Sequence, residues 1–267
     1  MSFITRADVI RSFNSYIEPY DMSDDKIRLK AEHTVRVADL SDEIARGIGL
    51  DARDVDLAWL IGMLHYIGRF EQLRRYNTFS DADSIDHAAF WADLLFREGL
   101  IGSFFTGNED DMALIEKAIR SHNIFEVPEE LTERQRVFAD ILRDADKIDI
   151  FRVNTEFSPA SIYNTTDEIL RTAELTPAVA EASNSHITVL KALRKTPIDV
   201  MAGHMSLAYG LVYPISYRIT LEQGYLEKLM DYRSDNPETQ KALDGITAEI
   251  RRYVKMKAGI RDCPASA

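Results

Sequence analysis

Apolar residues recur along this chain at helical spacing. Ile4, Val9, Ile10, Phe13 and Ile17 form roughly one face of a helix over 4–17 that Pro19 closes. Ser23 stands where a cap is needed for a long amphipathic segment, Asp24 to Arg46, ended by Gly47 and Gly49. Asp51 opens the next helix, in which Val55, Leu57, Ala58, Leu60, Ile61 and Leu64 are apolar almost all round, the pattern of a helix at the centre of a core. His65 ends that helix, and the chain is expected to turn at Gly68, beside Arg69.

Past the turn the period lapses. Arg74 to Ser84 is polar and reads as a long ordered loop, the kind of segment that lines sites. Helical spacing returns over Ile85 to Arg97, with His87 in the first turn and Gly99 and Gly102 at the end. It returns again over Asp110 to His122, where Met112, Ile115, Ala118 and Ile119 share a face. Beyond Pro128, a helix over 131–150 carries Phe138, Ile141, Leu142 and the cluster Asp144-Ala145-Asp146-Lys147. Three further helical stretches, roughly 163–195, 198–232 and 236–257, are punctuated by Pro177, Pro197, Gly224 and Pro237. No repeat, low-complexity run or alternating strand pattern interrupts them, so an all-α fold is expected.

Composition narrows the setting. A chain of 267 residues with 45% apolar content can bury a substantial core and is near the upper size for one domain. The single cysteine, Cys263, offers neither a disulfide framework nor a cysteine metal cluster, which fits a reducing cytoplasm. The N-terminal residues mix charges without an apolar run of signal-peptide length, and no later segment approaches a membrane span, so a cytoplasmic protein without membrane contact is expected. A net charge of −12 repels polyphosphate backbones, and no basic patch is dense enough to reverse that locally, so nucleic acid is not an expected partner.

Four of the six histidines, His33, His65, His87 and His122, lie in the first half, each within or at the end of a predicted helix. Imidazole is the commonest ligand for zinc, iron and related ions, and carboxylates complete mixed sites. Taken singly, each reads first as a partly buried, hydrogen-bonded histidine, because none forms a short local metal motif. His186 lies in a polar stretch and is expected to be exposed. His204 precedes Tyr209, Tyr213 and Tyr217, spaced for one helical face and read as core or pocket wall.

Together the segments Glu32-His33-Thr34, His65-Tyr66-Ile67-Gly68-Arg69, Asp86-His87-Ala88, Ser121-His122-Asn123 and Arg143-Asp144-Ala145-Asp146-Lys147-Ile148-Asp149 form an ordered series. In that order and context the chain resembles the HD superfamily of metal-dependent phosphohydrolases over roughly residues 28–152. It is most similar to bacterial members with two extra histidines between the His-Asp doublet and the last aspartate. The resemblance implies an all-α HD-domain helical bundle with additional C-terminal helices packed on it. One all-helical domain over 1–267 would then hold an HD-like core at about 24–155 and a helical extension at about 156–258.

The resemblance also implies a site. His33 matches the first histidine ligand, His65 the histidine of the doublet, and His87 and His122 the extra pair that completes a second metal position. Asp146 matches the last ligand, with Asp144 a close competitor. Arg69 matches a basic residue that holds a phosphate oxygen, and it reads alternatively as a surface arginine paired with Glu71. Lys147 is expected to balance the charge of Asp144 or Asp149. The implied cofactor is one or two divalent ions among Fe, Mn, Zn, Ni and Mg, and the implied ligand a small phosphomonoester or nucleotide. An oligomer remains open.

The departure is Tyr66, at the position of the doublet's aspartate. A phenol with a pKa near 10 is a weak neutral donor at pH 7 unless a metal deprotonates it. Three functional expectations follow: a metal-dependent phosphohydrolase with Arg69 and Asp146 in the catalytic machinery, a degenerate site that binds a phosphorylated ligand without turnover, and a structural or partner-binding scaffold.

Overall fold

The computed structural model describes residues 4–76 and 87–260, with side chains in the second stretch from residue 90 onward. Every regular element among these residues is helical. The chain divides into two compact units, Met1–Asp146 and Lys147–Ala267.

The first unit contains α1 (Arg6–Ile17), α2 (Asp25–Gly47), α3 (Ala52–Leu64), α4 (Ile67–Tyr76) and α5 (His87–Ala92). A π-helical turn (Asp93–Arg97) and a 3₁₀ turn (Leu100–Ser103) follow, then α6 (Glu109–Arg120) and the start of α7 (Glu133–Glu156), which runs on into the second unit. In α1, Val9, Phe13 and Ile17 are buried while Ile10, read as part of the same face, is 43% exposed. The cap of α2 is Asp24 rather than Ser23, because the Asp24 carboxylate accepts from Lys26 N at 2.8 Å. Asp51 caps α3 as expected, accepting from Asp54 N at 2.9 Å.

Helices α2 and α3 approach at backbone distance. A Cβ on Gly62 would lie 2.5 Å from Ala38 Cα, so only glycine allows this crossing. The crossing sets the register of the site: His33 is five residues before Ala38 on α2, and His65 three residues after Gly62 at the end of α3. At 1.5 Å per residue along antiparallel helices, both histidines reach the same end of the pair.

The turn after α3 is shorter than expected. His65 is the C-cap, Tyr66 follows, and α4 begins at Ile67, so Gly68 is helical rather than the turning point. Its reason is packing: an added Cβ would meet Trp91 Cδ1 at 1.2 Å, so the indole lies directly on the Gly68 backbone. Helix α4 also continues through Arg74, Arg75 and Tyr76, expected as loop. Glu71 accepts from Arg74 at 2.7 Å and Arg75 at 2.5 Å, and such i,i+3 and i,i+4 pairs support a helix without any apolar period. The remainder of the expected loop, 77–84, lies outside the described residues, as do Ile85, Asp86 and Cys263.

The second unit continues with α8 (Pro159–Tyr163), α9 (Asp167–Thr172), α10 (Pro177–Asn184), a 3₁₀ turn (Lys191–Leu193), α11 (Pro197–Met205) and a 3₁₀ turn (Ser206–Gly210). It ends with α12 (Pro214–Gln223), α13 (Tyr225–Met230) and α14 (Pro237–Lys257). The stretch expected over 236–257 is the single helix α14, whereas those over 163–195 and 198–232 resolve into shorter helices; five helices of this unit carry proline in their first turn. A proline at that position starts a helix without losing a bond. Buried Asp199 ties two helix starts together, accepting from Lys195 N, Thr196 N, Thr176 N and Thr176 Oγ1 at 2.6–3.0 Å.

Candidate metal centre

Three side chains from three helices of the first unit meet at the end of the α2–α3 pair. His33 from α2, His65 from the end of α3 and Asp146 from α7 place one donor atom each within 4.8 Å of one another. The two imidazole centroids are 5.4 Å apart, and His33 Nε2 lies 3.0 Å from Asp146 Oδ1.

Helix ends fix the histidine tautomers. His65 Nδ1 lies 2.6 Å from Gly62 O, and His122 Nδ1 lies 2.7 Å from Ile119 O. A carbonyl only accepts, so each ring donates from Nδ1, takes up one of the terminal carbonyls a helix leaves open, and keeps its lone pair on Nε2. His65 is fully buried, and burial, followed by neighbouring His33 and opposed by Asp146, drives its pKa well below the ordinary imidazole value. Burial alone would raise the Asp146 pKa, but adjacent His33, then His65 and His122, outweigh it and hold the carboxyl well below its usual range. The result is a neutral imidazole beside an ionised carboxylate.

This donor set fits a divalent ion. His65 Nε2 is a buried polar atom that makes no hydrogen bond, which is costly in an interior unless another group engages it. Two imidazole nitrogens and one carboxylate oxygen match the three-ligand sites that leave a coordination position open on zinc or iron.

The other expected site residues fall around this group. His122 lies just beyond α6, with its ring 5.7 Å from that of His65 and stacked on Trp91 at 5.5 Å and 12°. It is outside the three-donor group, and the His87 side chain lies outside the described residues. Asp144 is fully buried on α7 and is also outside the group. Lys147 donates to Gly210 O at 2.8 Å, and Asp149 accepts from the Arg152 guanidinium at 2.7 and 3.0 Å.

Arg69 is not a surface residue. It is 7% exposed, donates from Nη1 to Gln72 Oε1 at 2.7 Å, and has its guanidinium carbon 5.4 Å from the Tyr66 ring centre and 5.3 Å from that of Trp91. Glu71, its alternative partner, is held by Arg74 and Arg75. Tyr66 is partly exposed, with its ring 4.6 Å from His33 and 4.6 Å from His65. Lys30, one turn before His33 on α2, places Nζ 5.2 Å from the same ring.

Sequence reasoning missed Lys30, Trp91 and Arg143. Lys30 was detectable from its i,i+3 relation to His33. Arg143 stands in the same relation to Asp146, and its guanidinium donates to Ser121 O at 2.9 Å, Ile124 O at 2.5 Å and Phe125 O at 3.0 Å, securing the segment that presents His122. Nothing local marked Trp91, whose role depends on the distant Gly68.

In the second unit, His204 donates from Nδ1 to Asn154 Oδ1 at 2.8 Å and is stacked with Tyr163. His186, expected in solvent, is paired with Glu249 and packed on Tyr209 and Tyr253. Tyr209 and Tyr217 are buried, in line with a core reading, although Tyr209, Tyr213 and Tyr217 do not share one helix. No helix among the described residues is long and apolar enough to cross a membrane.

No curated protein and no solved structure matches the chain significantly. The family model for the HD domain matches residues 31–150, a span that contains all three residues of the donor group. The described residues are thus all-α, with an HD-domain match over 31–150 and additional helices C-terminal to it.

Proposed function

We propose that this chain is a metal-dependent phosphohydrolase acting on a small phosphomonoester or nucleotide. The observation that carries the reading is the convergence of His33, His65 and Asp146 from three helices. His33 and His65 would hold the ion through Nε2, and Asp146 through its carboxylate. Held there, a divalent ion would supply a hydroxide nucleophile at neutral pH by lowering the pKa of its water. Arg69, clamped between two rings and hydrogen-bonded to Gln72, offers a guanidinium of fixed direction to offset charge on phosphoryl oxygens. A second ion would rest on His122 and His87, and Tyr66 supplies no carboxylate to bridge it, so the reading is of one ion. The net charge of −12 favours a small substrate over a nucleic acid.

A second reading, phosphate-ligand binding without turnover, is favoured by one observation: the Tyr66 ring packs on both histidines where a carboxylate ligand is expected. Metal analysis of the purified chain and a phosphatase screen with added manganese, iron or zinc decide between them. The hydrolase reading requires about one ion per chain and metal-dependent release of phosphate, with both lost in Asp146→Ala. Metal binding without turnover, with activity appearing in Tyr66→Asp, establishes the second reading. Failure to bind metal in both the chain and Tyr66→Asp overturns the placement of the site.

A further inference from the structure

Arg194 is a partly exposed cation with no acidic partner among the described residues. Its Nη2 donates to Val189 O at 2.7 Å, and its Nε is buried without a hydrogen bond. Burial lowers its pKa, and no carboxylate opposes that shift. The side chain is seated by a glycine. A Cβ on Gly203, inside α11, would lie 2.4 Å from Arg194 Nε and 2.6 Å from Cζ, so the guanidinium rests directly on the helix backbone. Glycine in a helix interior is unfavourable beside alanine, and here its bare backbone leaves a notch that admits the guanidinium.

The setting of Arg194 is cationic as well. Arg194 N donates to Lys191 O at 3.1 Å, closing the 3₁₀ turn that sets the two residues one turn apart. His204 follows Gly203 on α11, with Nδ1 donating to Asn154 Oδ1 and the lone pair left on Nε2. Burial, then Arg194 and Lys191, lowers the His204 pKa, and no acidic group among the described residues acts against them. We propose that Arg194, seated in the Gly203 notch beside His204, anchors a site for the phosphate group of a small molecule. Its Nη1, which makes no hydrogen bond to the described residues, supplies donors of fixed direction. Two cations without an acid favour a doubly charged phosphate over a single carboxylate. Every residue of this site belongs to the second unit, so the inference stands or falls apart from the metal centre.

The test is titration of inorganic phosphate into the chelator-treated full chain at pH 7, followed by calorimetry and by the NMR signals of the His204 ring, which is neutral at that pH. Wild type is expected to bind, with the His204 signals shifting along the same isotherm. Arg194→Met should weaken binding about tenfold, the loss of one charge-assisted contact. Gly203→Ala keeps every charge but fills the notch, so it should unseat the guanidinium and weaken binding about threefold to tenfold. Arg194→Gln serves as the second neutral variant if Arg194→Met does not fold. Absence of phosphate binding, binding that leaves the His204 signals unmoved, or wild-type affinity in the Arg194 variants or in Gly203→Ala overturns the inference. Phosphate held at the metal centre alone would give the second of these results.

Discussion

Replacing Gly68 by alanine sets two general effects against each other, and the structure decides the sign. In a helix the substitution is ordinarily favourable, by up to about 1 kcal/mol. At Gly68 the new methyl would be built 1.2 Å from Trp91 Cδ1, 1.8 Å from Nε1 and 2.2 Å from Cγ. Carbon contacts settle at roughly 3.5–4.0 Å, so the indole must withdraw by roughly 2 Å. It has no room to do so, being fully buried, stacked on His122 and 5.2 Å from the Tyr66 ring. Overpacking of this kind costs about 1–3 kcal/mol. Less the helical gain, the net loss is about 1–2 kcal/mol, or a fall in Tm of roughly 2–8 °C. Gly102 is the internal control: nothing lies within 4 Å of its Cβ position, and Gly102→Ala should raise stability by about 0.4–1 kcal/mol. Thermal unfolding followed by tryptophan fluorescence reads both, because Trp59 and Trp91 are in the first unit. If Gly68→Ala were as stable as wild type while Gly102→Ala gained stability, the packing of Trp91 on Gly68 would be refuted.

Asp199→Ala removes four hydrogen bonds and leaves buried donors at two helix starts, a loss of about 3 kcal/mol in chemical denaturation; a change below about 1 kcal/mol would contradict the capping role. Arg143→Met frees the carbonyls of Ser121, Ile124 and Phe125, so hydrogen exchange over 121–125 should accelerate and stability fall by about 2 kcal/mol; unchanged protection would show that the clamp is dispensable. The His204 pKa is lowered from 6.5 to about 3 by burial, then by Arg194 and Lys191. Above 6.5 the imidazole is neutral folded and unfolded, while below it the unfolded chain takes up a proton that the native state excludes. Its contribution to stability therefore declines as pH falls from 6.5 toward about 3, and the His204 ring signals should not titrate between pH 5 and 7.5. An NMR titration midpoint near 6.5 would refute the buried environment.

The helices that build the site were readable because their burial is periodic. The all-round apolar face of α3, the Asp51 cap and the position of His65 at the helix end follow from spacing and cap chemistry. Ser23 against Asp24 was not decidable, since both are good caps and only backbone geometry selects one. The persistence of α4 through Tyr76 was hidden because Glu71 and its arginine partners support it with charge. In the second unit, proline was legible as punctuation, but Pro214 lay inside an apolar stretch and reads as a start only when the helix after it is seen. For the site, residue types and order were visible, whereas the distinction between Asp144 and Asp146 depends on which side of α7 faces the α2–α3 end. The buried surroundings of Arg69 were equally invisible, because they are made by Gln72, by the Tyr66 ring from the turn before α4 and by the Trp91 ring from α5.

Position 66 sets the charge beside the donor group. The three donors carry a single negative charge, on Asp146, and the Tyr66 ring packs on both histidines without adding another. An aspartate at 66 would add a second carboxylate. Unit charges about 5 Å apart at an effective dielectric of about 20 interact by roughly 3 kcal/mol, so one added carboxylate is enough to change the affinity for a divalent ion by more than about tenfold. Tyr66→Asp should therefore strengthen metal binding, read by titration of the metal into the chelator-treated chain. A variant whose metal affinity did not change would show that the ring acts by occupying space, and that its lack of charge is secondary.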